Sequence, residues 1–122
     1  MPYEISNTLR ARSIIRVTGN TATRINLSQL STNTTTETIS AAAITHVNSS
    51  TDGKWSIYRG NDATGVLVLE YFGENDIPFT QHDISISNSS SSNIYVTNSG
   101  TGGTLIIQVS KTASYNPVLT GI

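Results

Sequence analysis

Apolar and polar residues alternate along much of this chain, in short segments that end at turn residues. A period of two, bounded by Gly, Asn, Asp and Ser, is the pattern of a β-strand that buries one face. Eight segments fit it: residues 11–18, 21–27, 38–47, 54–59, 66–72, 83–88, 93–98 and 104–111. Their spacing predicts an all-β fold, a single antiparallel β-sandwich of about eight strands, with a jelly-roll topology favoured.

Alternation also assigns side chains to the two faces of each strand. In segment 38–47, we expect Ile44 and His46 on one face and Thr45 and Val47 on the other. The three consecutive alanines of this segment would also fit one helical turn. No stripe of period 3.6 continues from them, so a strand is favoured.

The aromatic residues are the next question, because exposed rings can stack on sugars. Trp55, Ile57 and Arg59 are expected on one face of their strand and Tyr58 on the other. Trp55 and Tyr58 therefore cannot form one platform on that strand alone. A single tryptophan in a small sandwich is typical of the core, and we assign Trp55 to it.

The ends of the chain and one internal link do not fit the strand pattern. Residues 1–10 and 112–122 are predicted to be arms on either side of a sandwich formed by residues 11–111. Residues 77–79 are predicted to be a link, because Pro78 cannot serve a central strand. No basic segment followed by an apolar one opens the chain, so we expect no secretory signal. No apolar run approaches the roughly 20 residues of a membrane span.

Composition excludes several classes of function. Only 12% of the residues are charged, against about 25% in an average soluble protein. The net charge of -1 argues against a general nucleic-acid binder. The absence of cysteine excludes disulfide frameworks, thiolate metal sites and cysteine nucleophiles. Ser, Thr and Asn replace charge as the polar residues, with 17, 18 and 11 copies.

Candidate chemistry is sparse. A Ser–His–Asp arrangement would need His82 with Asp83, but adjacent strand residues point to opposite faces, so we expect no hydrolase. His46 is the second imidazole and is interpreted as a strand residue.

Acidic residues cluster between positions 52 and 83. Two groups in this cluster are weak calcium candidates: Asn61 with Asp62, and Glu74 with Asn75 and Asp76. Neither has the spacing of a calcium loop. No Gly-rich phosphate loop precedes a helix. We expect no cofactor and no metal.

Charge is unevenly distributed. The first 24 residues hold four arginines and one glutamate, whereas residues 52–83 hold six acids and two basic residues. Such asymmetry is commonly incidental, but it also suits docking on an acidic partner or on another copy of the chain. Two lysines and three prolines leave few residues to guard strand edges, which favours a protein whose edges are covered in an assembly.

The chain resembles the small all-β virion structural proteins of tailed bacteriophages, particularly the capsid decoration, or cement, proteins. The resemblance rests on the size, the absence of cysteine, the Ser/Thr/Asn-rich strands and the closing segment Gly-Gly-Thr-Leu-Ile-Ile-Gln-Val-Ser-Lys at residues 102–111. It implies a non-enzymatic homo-oligomer in the virion, assembled in the host cytoplasm. That protein would bind the major capsid protein or another virion protein and stabilise the head, without nucleic-acid or membrane partners.

Neck, tail or baseplate components and a carbohydrate-binding module using Trp55, Tyr58 or Tyr95 remain alternatives. The residues expected to contact a partner are Arg10, Arg12, Arg16, Tyr115, Pro117, Val118 and Leu119.

Overall fold

The computed structural model describes residues 3–6, 12–31, 37–78 and 91–115. In these ranges the chain forms nine strands and a 3₁₀ helix at Leu27–Leu30. The strands are β1 (Tyr3–Ser6), β2 (Arg12–Thr18), β3 (Thr23–Ile25), β4 (Glu37–Thr51), β5 (Lys54–Arg59), β6 (Val66–Phe72), β7 (Asn75–Pro78), β8 (Ile94–Asn98) and β9 (Gly103–Tyr115). No helix in this part of the chain is long and apolar enough to cross a membrane.

The strands form two antiparallel sheets. The five-stranded sheet has the order β1-β2-β9-β4-β7 and the four-stranded sheet has the order β3-β8-β5-β6. Strands β2 to β9 thus form two four-stranded layers with long crossovers, which is the jelly-roll arrangement of two Greek keys. The predicted all-β sandwich is confirmed.

Several predicted boundaries differ from the structure. The arm expected at residues 1–10 contains strand β1, whose Tyr3 lies opposite Val17 of β2. Residues 77 and 78 of the predicted link 77–79 belong to β7, an edge strand in which Pro78 is tolerated, and residue 79 lies outside the described residues. Strand β9 continues past Lys111 to Tyr115, and the predicted strand 83–88 lies outside the described residues.

Two bulges in β4 change which side chains reach the core. The pairing of β4 with β9 shifts register between Ile39 and Ala41 and again between Ile44 and His46. Each shift adds one residue to β4, which moves the following side chains to the other face. Ile44 and Val47 are therefore both buried, so the prediction that they lie on opposite faces is wrong.

The core between the sheets is aliphatic around one tryptophan. Trp55 is 1% exposed, as predicted, and its indole N–H donates to the Ser50 carbonyl at 3.2 Å. Among the described residues, the other fully buried large side chains are Ile15, Ile25, Leu30, Ile44, Ile57, Ile94, Leu105, Ile107, Val17 and Val47. Burial of this apolar surface is the main favourable term in folding.

Two cations are buried with the core and donate to backbone carbonyls. Arg59 donates through Nη1 to the Ala42 carbonyl of the opposite sheet and through Nη2 to the Ser92 carbonyl at 2.8 Å. Burial lowers the pKa of Arg59 to about 10. Lys111 Nζ donates to the Leu30 carbonyl at 2.7 Å, which ties the 3₁₀ helix to β9. These bonds connect separate elements and offset part of the cost of burying charge.

Two turns at one end of the sandwich pack directly against each other. A Cβ atom added to Gly53 would lie 2.3 Å from the backbone nitrogen of Gly100, so only glycine fits there. Beside them, Asp52 accepts hydrogen bonds from the Thr101 amide at 2.9 Å and from its hydroxyl at 2.6 Å. These bonds hold the pKa of Asp52 below its ordinary value.

Replacing each of two buried serines on strands by alanine is expected to have opposite effects on stability. Ser49 is 2% exposed and its hydroxyl has no hydrogen-bond partner among the described residues, whereas the Ser56 hydroxyl donates to Glu70 at 3.1 Å. An unpaired buried hydroxyl costs free energy. We therefore expect Ser49→Ala to raise the free energy of unfolding by up to about 1 kcal/mol, and Ser56→Ala to lower it by about 1 kcal/mol. Urea unfolding followed by Trp55 fluorescence measures both, and equal losses would contradict the expectation.

Candidate docking surface

The outer face of the five-stranded sheet is an open surface with separated charges. Strand β2 alternates strictly, so Arg12, Ile14 and Arg16 point outward while Ser13 and its inner neighbours are buried. Ile14 is 43% exposed and lies between the two arginines on this face.

One row of side chains crosses all five strands, and we call it the central row. Glu4 on β1 lies opposite Arg16 on β2, which lies opposite Ile106 on β9. Ile106 lies opposite Asn48 on β4, and Asn48 lies opposite Asp76 on β7. The row therefore runs from the Glu4–Arg16 ion pair through the half-buried Ile106 to an acidic side at Asp76.

A second row lies beside it on the same face. It consists of Ser6, Ile14, Gln108, His46 and Pro78, again one residue from each strand. Together the two rows place Ile14 on β2 diagonal to Ile106 on β9, near the middle of the face. An apolar centre with a charged rim is the usual anatomy of a protein interface.

Ion pairs occupy both sides of the face. Arg16 Nη1 lies 3.5 Å from Glu4 Oε1, and His46 Nε2 contacts Asp76 Oδ1. The hydrogen bond from His46 is the main reason that the pKa of Asp76 lies below its ordinary value. Both pairs are largely open to water, with 53% of the Arg16 side chain and 66% of the Asp76 side chain exposed.

A shallow groove of about 400 Å³ lies at the acidic side. It is lined by Asn48, Ser49, Ser50, Glu74, Asn75 and Asp76. Two carboxylates and two amide side chains give this groove mainly hydrogen-bond acceptors, which suits a cationic group. Among residues 3–6, 12–31, 37–78 and 91–115, no group of three or more His, Cys, Asp or Glu is placed to hold a metal ion.

The turn at Asn61 and Asp62, the other calcium candidate, is stabilised by its own side chains. Asp62 accepts hydrogen bonds from the Thr64 amide and hydroxyl at 2.8 and 2.5 Å, and these lower its pKa. The Asn61 side-chain oxygen accepts from Asn93 at 2.7 Å. The oxygens suggested as calcium ligands at this turn therefore stabilise the turn itself.

The predicted contact residues fall into two groups. Arg12 and Arg16 are exposed on the outer face of β2. Tyr115 is the last residue of β9, opposite Glu37 of β4. The rest of the prediction lies outside the described residues: Arg10, Pro117, Val118 and Leu119.

Strands β4 and β9 extend beyond their neighbours. Strand β2 begins at Arg12, opposite Ser110, so among the described residues β9 pairs from Lys111 to Tyr115 with β4 alone. We call this two-stranded extension the β4–β9 ribbon. Its five β9 residues span about 16 Å at the usual rise per residue. The ribbon places the start of β2 and the C-terminal end of β9 at the same end of the sheet.

The four-stranded sheet carries an aromatic pair on its outer face. Tyr58 and Tyr95 lie opposite each other on β5 and β8, with ring centroids 6.1 Å apart and a 52° angle between the rings. Arg24 lies opposite Tyr95 and Leu67 opposite Tyr58. Because Trp55 is buried, the sequence-based suggestion that it could line a sugar platform is wrong.

The His46–Asp76 contact has no local sequence signal, because the two residues are 30 positions apart and meet through the pairing of β4 with β7. The alternative catalytic pair of His82 and Asp83 lies outside the described residues.

No protein-family model and no curated protein matches this chain. Similar solved structures include a mutant of the Bacillus subtilis oxalate decarboxylase OxdC and the coconut allergen cocosin, at 12% and 14% identity, each with a TM-score of 0.38. In both cases 93% of this chain is covered, but it spans only 27% of the other chain. A cupin-superfamily sugar phosphate isomerase from Silicibacter pomeroyi matches at 9% identity and a TM-score of 0.34, covering 88% of this chain and 56% of that one. At this similarity the comparison concerns fold alone.

Because of the Asp76 carboxylate, we expect the stability of the folded protein to depend on pH in the acidic range. Its pKa in the folded protein lies below the ordinary value of 3.8, so the unfolded state binds the proton more tightly. The stabilisation is therefore present above the ordinary pKa and lost as the pH falls through the folded-state pKa. We expect Asp76→Asn to be less stable than the wild type near pH 7, and the difference to be smaller near about pH 3. Urea unfolding at both pH values measures this, and a difference that is independent of pH would contradict it.

Proposed function

We propose that this protein is a non-enzymatic structural protein of a phage virion, most simply a capsid decoration or cement protein. It docks on the major capsid protein or another virion protein and stabilises the shell. The observation that carries the proposal is the β4–β9 ribbon, which brings Arg12 and the C-terminal end of β9 to one end of the sandwich. One end of a rigid sandwich can thus present two docking segments together.

Exposed apolar side chains support an assembly role. Val66 and Phe72 are 71% and 74% exposed on β6, the last strand of the four-stranded sheet. Strand β6 carries a single charged residue, Glu70, so this edge has little of the charge that keeps edge strands apart. A protein with such an edge is best suited to being covered by neighbours.

Copy number in the particle separates the two placements of the protein in a virion. A decoration protein is present in hundreds of copies per head, and a neck, tail or baseplate component in far fewer. Mass spectrometry of purified virions of the encoding phage would measure this number. Absence of the protein from the virions would overturn the proposal.

Removal of residues 116–122 should weaken docking and leave the fold intact. A cut after Lys111 would delete paired residues of β9, so the cut is placed after Tyr115. We expect at least about tenfold weaker capsid binding at an unchanged melting temperature, because the three aliphatic residues of this segment would be lost.

A second variant keeps the chain length and carries Val118→Ser and Leu119→Ser. It should lose most of the capsid-binding affinity that the truncation loses. Unchanged binding to capsids by both variants, measured by co-sedimentation, would exclude this segment from docking.

Carbohydrate binding is the second candidate, and the pairing of Tyr58 with Tyr95 beside Arg24 favours it. Adjacent rings with a flanking guanidinium offer a stacking surface and hydrogen-bond donors to a sugar. On a glycan array, Tyr58→Ala and Tyr95→Ala should each abolish binding, whereas Phe72→Ala on the neighbouring edge strand should not. Absence of wild-type binding to any glycan would remove this candidate.

A further inference from the structure

We infer that a second copy of the chain docks face to face on the outer face of the five-stranded sheet, with Arg16 of each copy meeting Asp76 of the other. The contact is between two identical surfaces and does not require the capsid. It goes beyond the proposed function, because it would form in solution before any virion partner is present.

The geometry follows from the central row. A two-fold axis that runs parallel to the strands, between β9 and β4, exchanges β2 with β7 and β9 with β4. Because Arg16 and Asp76 occupy the same row at β2 and β7, the axis places each of them over the other in the partner copy. The interface is isologous, so the pair is formed twice.

The second row is matched by the same operation. Ile14 comes to lie over Pro78 of the other copy, and Gln108 over His46. Ile14 is the exposed isoleucine of this face and Pro78 is half-buried, so their contact removes apolar surface from water. No like charges lie directly opposite each other in either row, because Glu4 and Ser6 on β1 lie beyond β7 of the other copy.

The chemistry of the Arg16–Asp76 contact suits the groove at the acidic side. Sheets that pack face to face lie about 10 Å apart, a gap that extended arginine and aspartate side chains close between them. A guanidinium has five N–H donors, so Arg16 can keep its contact with Glu4 and still donate to Asp76 of the other copy. Glu74, also in the groove lining, adds a second carboxylate.

The direction of the axis has a consequence for assembly. An axis parallel to the strands leaves both β4–β9 ribbons at the same end of the dimer. If the ribbon end docks on a capsid, as the proposed function holds, both copies can engage one surface at the same time. Two linked sites bind more tightly than either one alone.

Charge exchange tests the contact. Sedimentation of the full-length wild type is expected to show a dimer. Arg16→Glu and Asp76→Arg should each raise the dimer Kd at least about tenfold, and the double variant should bring it back close to the wild-type value. Arg24→Glu, at an exposed arginine on β3 of the other sheet, is the matched control and should leave the Kd unchanged.

A second measurement covers the case in which Asp76→Arg does not fold. The chain contains no cysteine, so each single-cysteine variant has one reactive thiol at a chosen position. The docking geometry places Ile106 of one copy over Asn48 of the other, so a mixture of Ile106→Cys and Asn48→Cys should form a heterodimer cross-linked by a bismaleimide about 10 Å long, the spacing between packed sheets. A mixture of Ile106→Cys and Arg24→Cys should not.

Three results would overturn the inference: a monomeric wild type, a dimer whose Kd neither single charge reversal changes, or equal cross-linking in the two cysteine mixtures. A monomer that binds capsids and loses that binding on Arg16→Glu would assign this face to the capsid protein. Failure of capsid binding by a dimer that passes the charge exchange would count against the proposed function alone.

Discussion

The pairing of β4 with β9 is the constraint on which the rest of the structure depends. These strands, Glu37–Thr51 and Gly103–Tyr115, pair along almost their whole length, and only the two bulges in β4 keep its apolar residues on the inner face. Without the bulge at Thr45, strict alternation from the inward-facing Ile44 would place His46 on the core side and expose Val47 to solvent. The same bulge therefore fills the core and places His46 and Asn48 on the outer face, beside Asp76.

Strict alternation made much of this fold predictable. Strands such as β2, β5 and β9 have the period of two, and Trp55 reaches the core as its position predicts. Strands β1 and β7 were not predicted, because each has four residues and lies at a sheet edge, where burial imposes little pattern. The bulges leave no signal in alternation. The proposed docking face could be predicted only in part, since Arg12 and Arg16 share a strand whereas Asp76 joins them through the register of three further strands.

The abundant hydroxyl and amide side chains have a structural role as well as a solvating one. Thr51 donates through its hydroxyl to the Asn98 side-chain oxygen at 2.8 Å, and that oxygen also accepts from the Gly100 amide at 2.9 Å. The Asn98 side-chain nitrogen donates to the Gly19 carbonyl at 3.0 Å. Three separate turns are thereby joined by one amide, which has donors and acceptor in a fixed arrangement. At this end of the sandwich, the abundant hydroxyl and amide side chains hold the loops in place.

Low charge also changes what the few ionic groups can do. A flat, neutral sheet face can meet another sheet in several registers, because aliphatic contacts are not directional. Exposed ion pairs add little affinity in water, but charges of opposite sign at separate positions of one row penalise the registers that bring like charges together. In the central row, Arg16 and Asp76 lie three strands apart, about 14 Å at the usual strand spacing. A shift of the partner by one strand would separate both pairs at once. In a chain with so few charges, this separation gives the face one preferred arrangement.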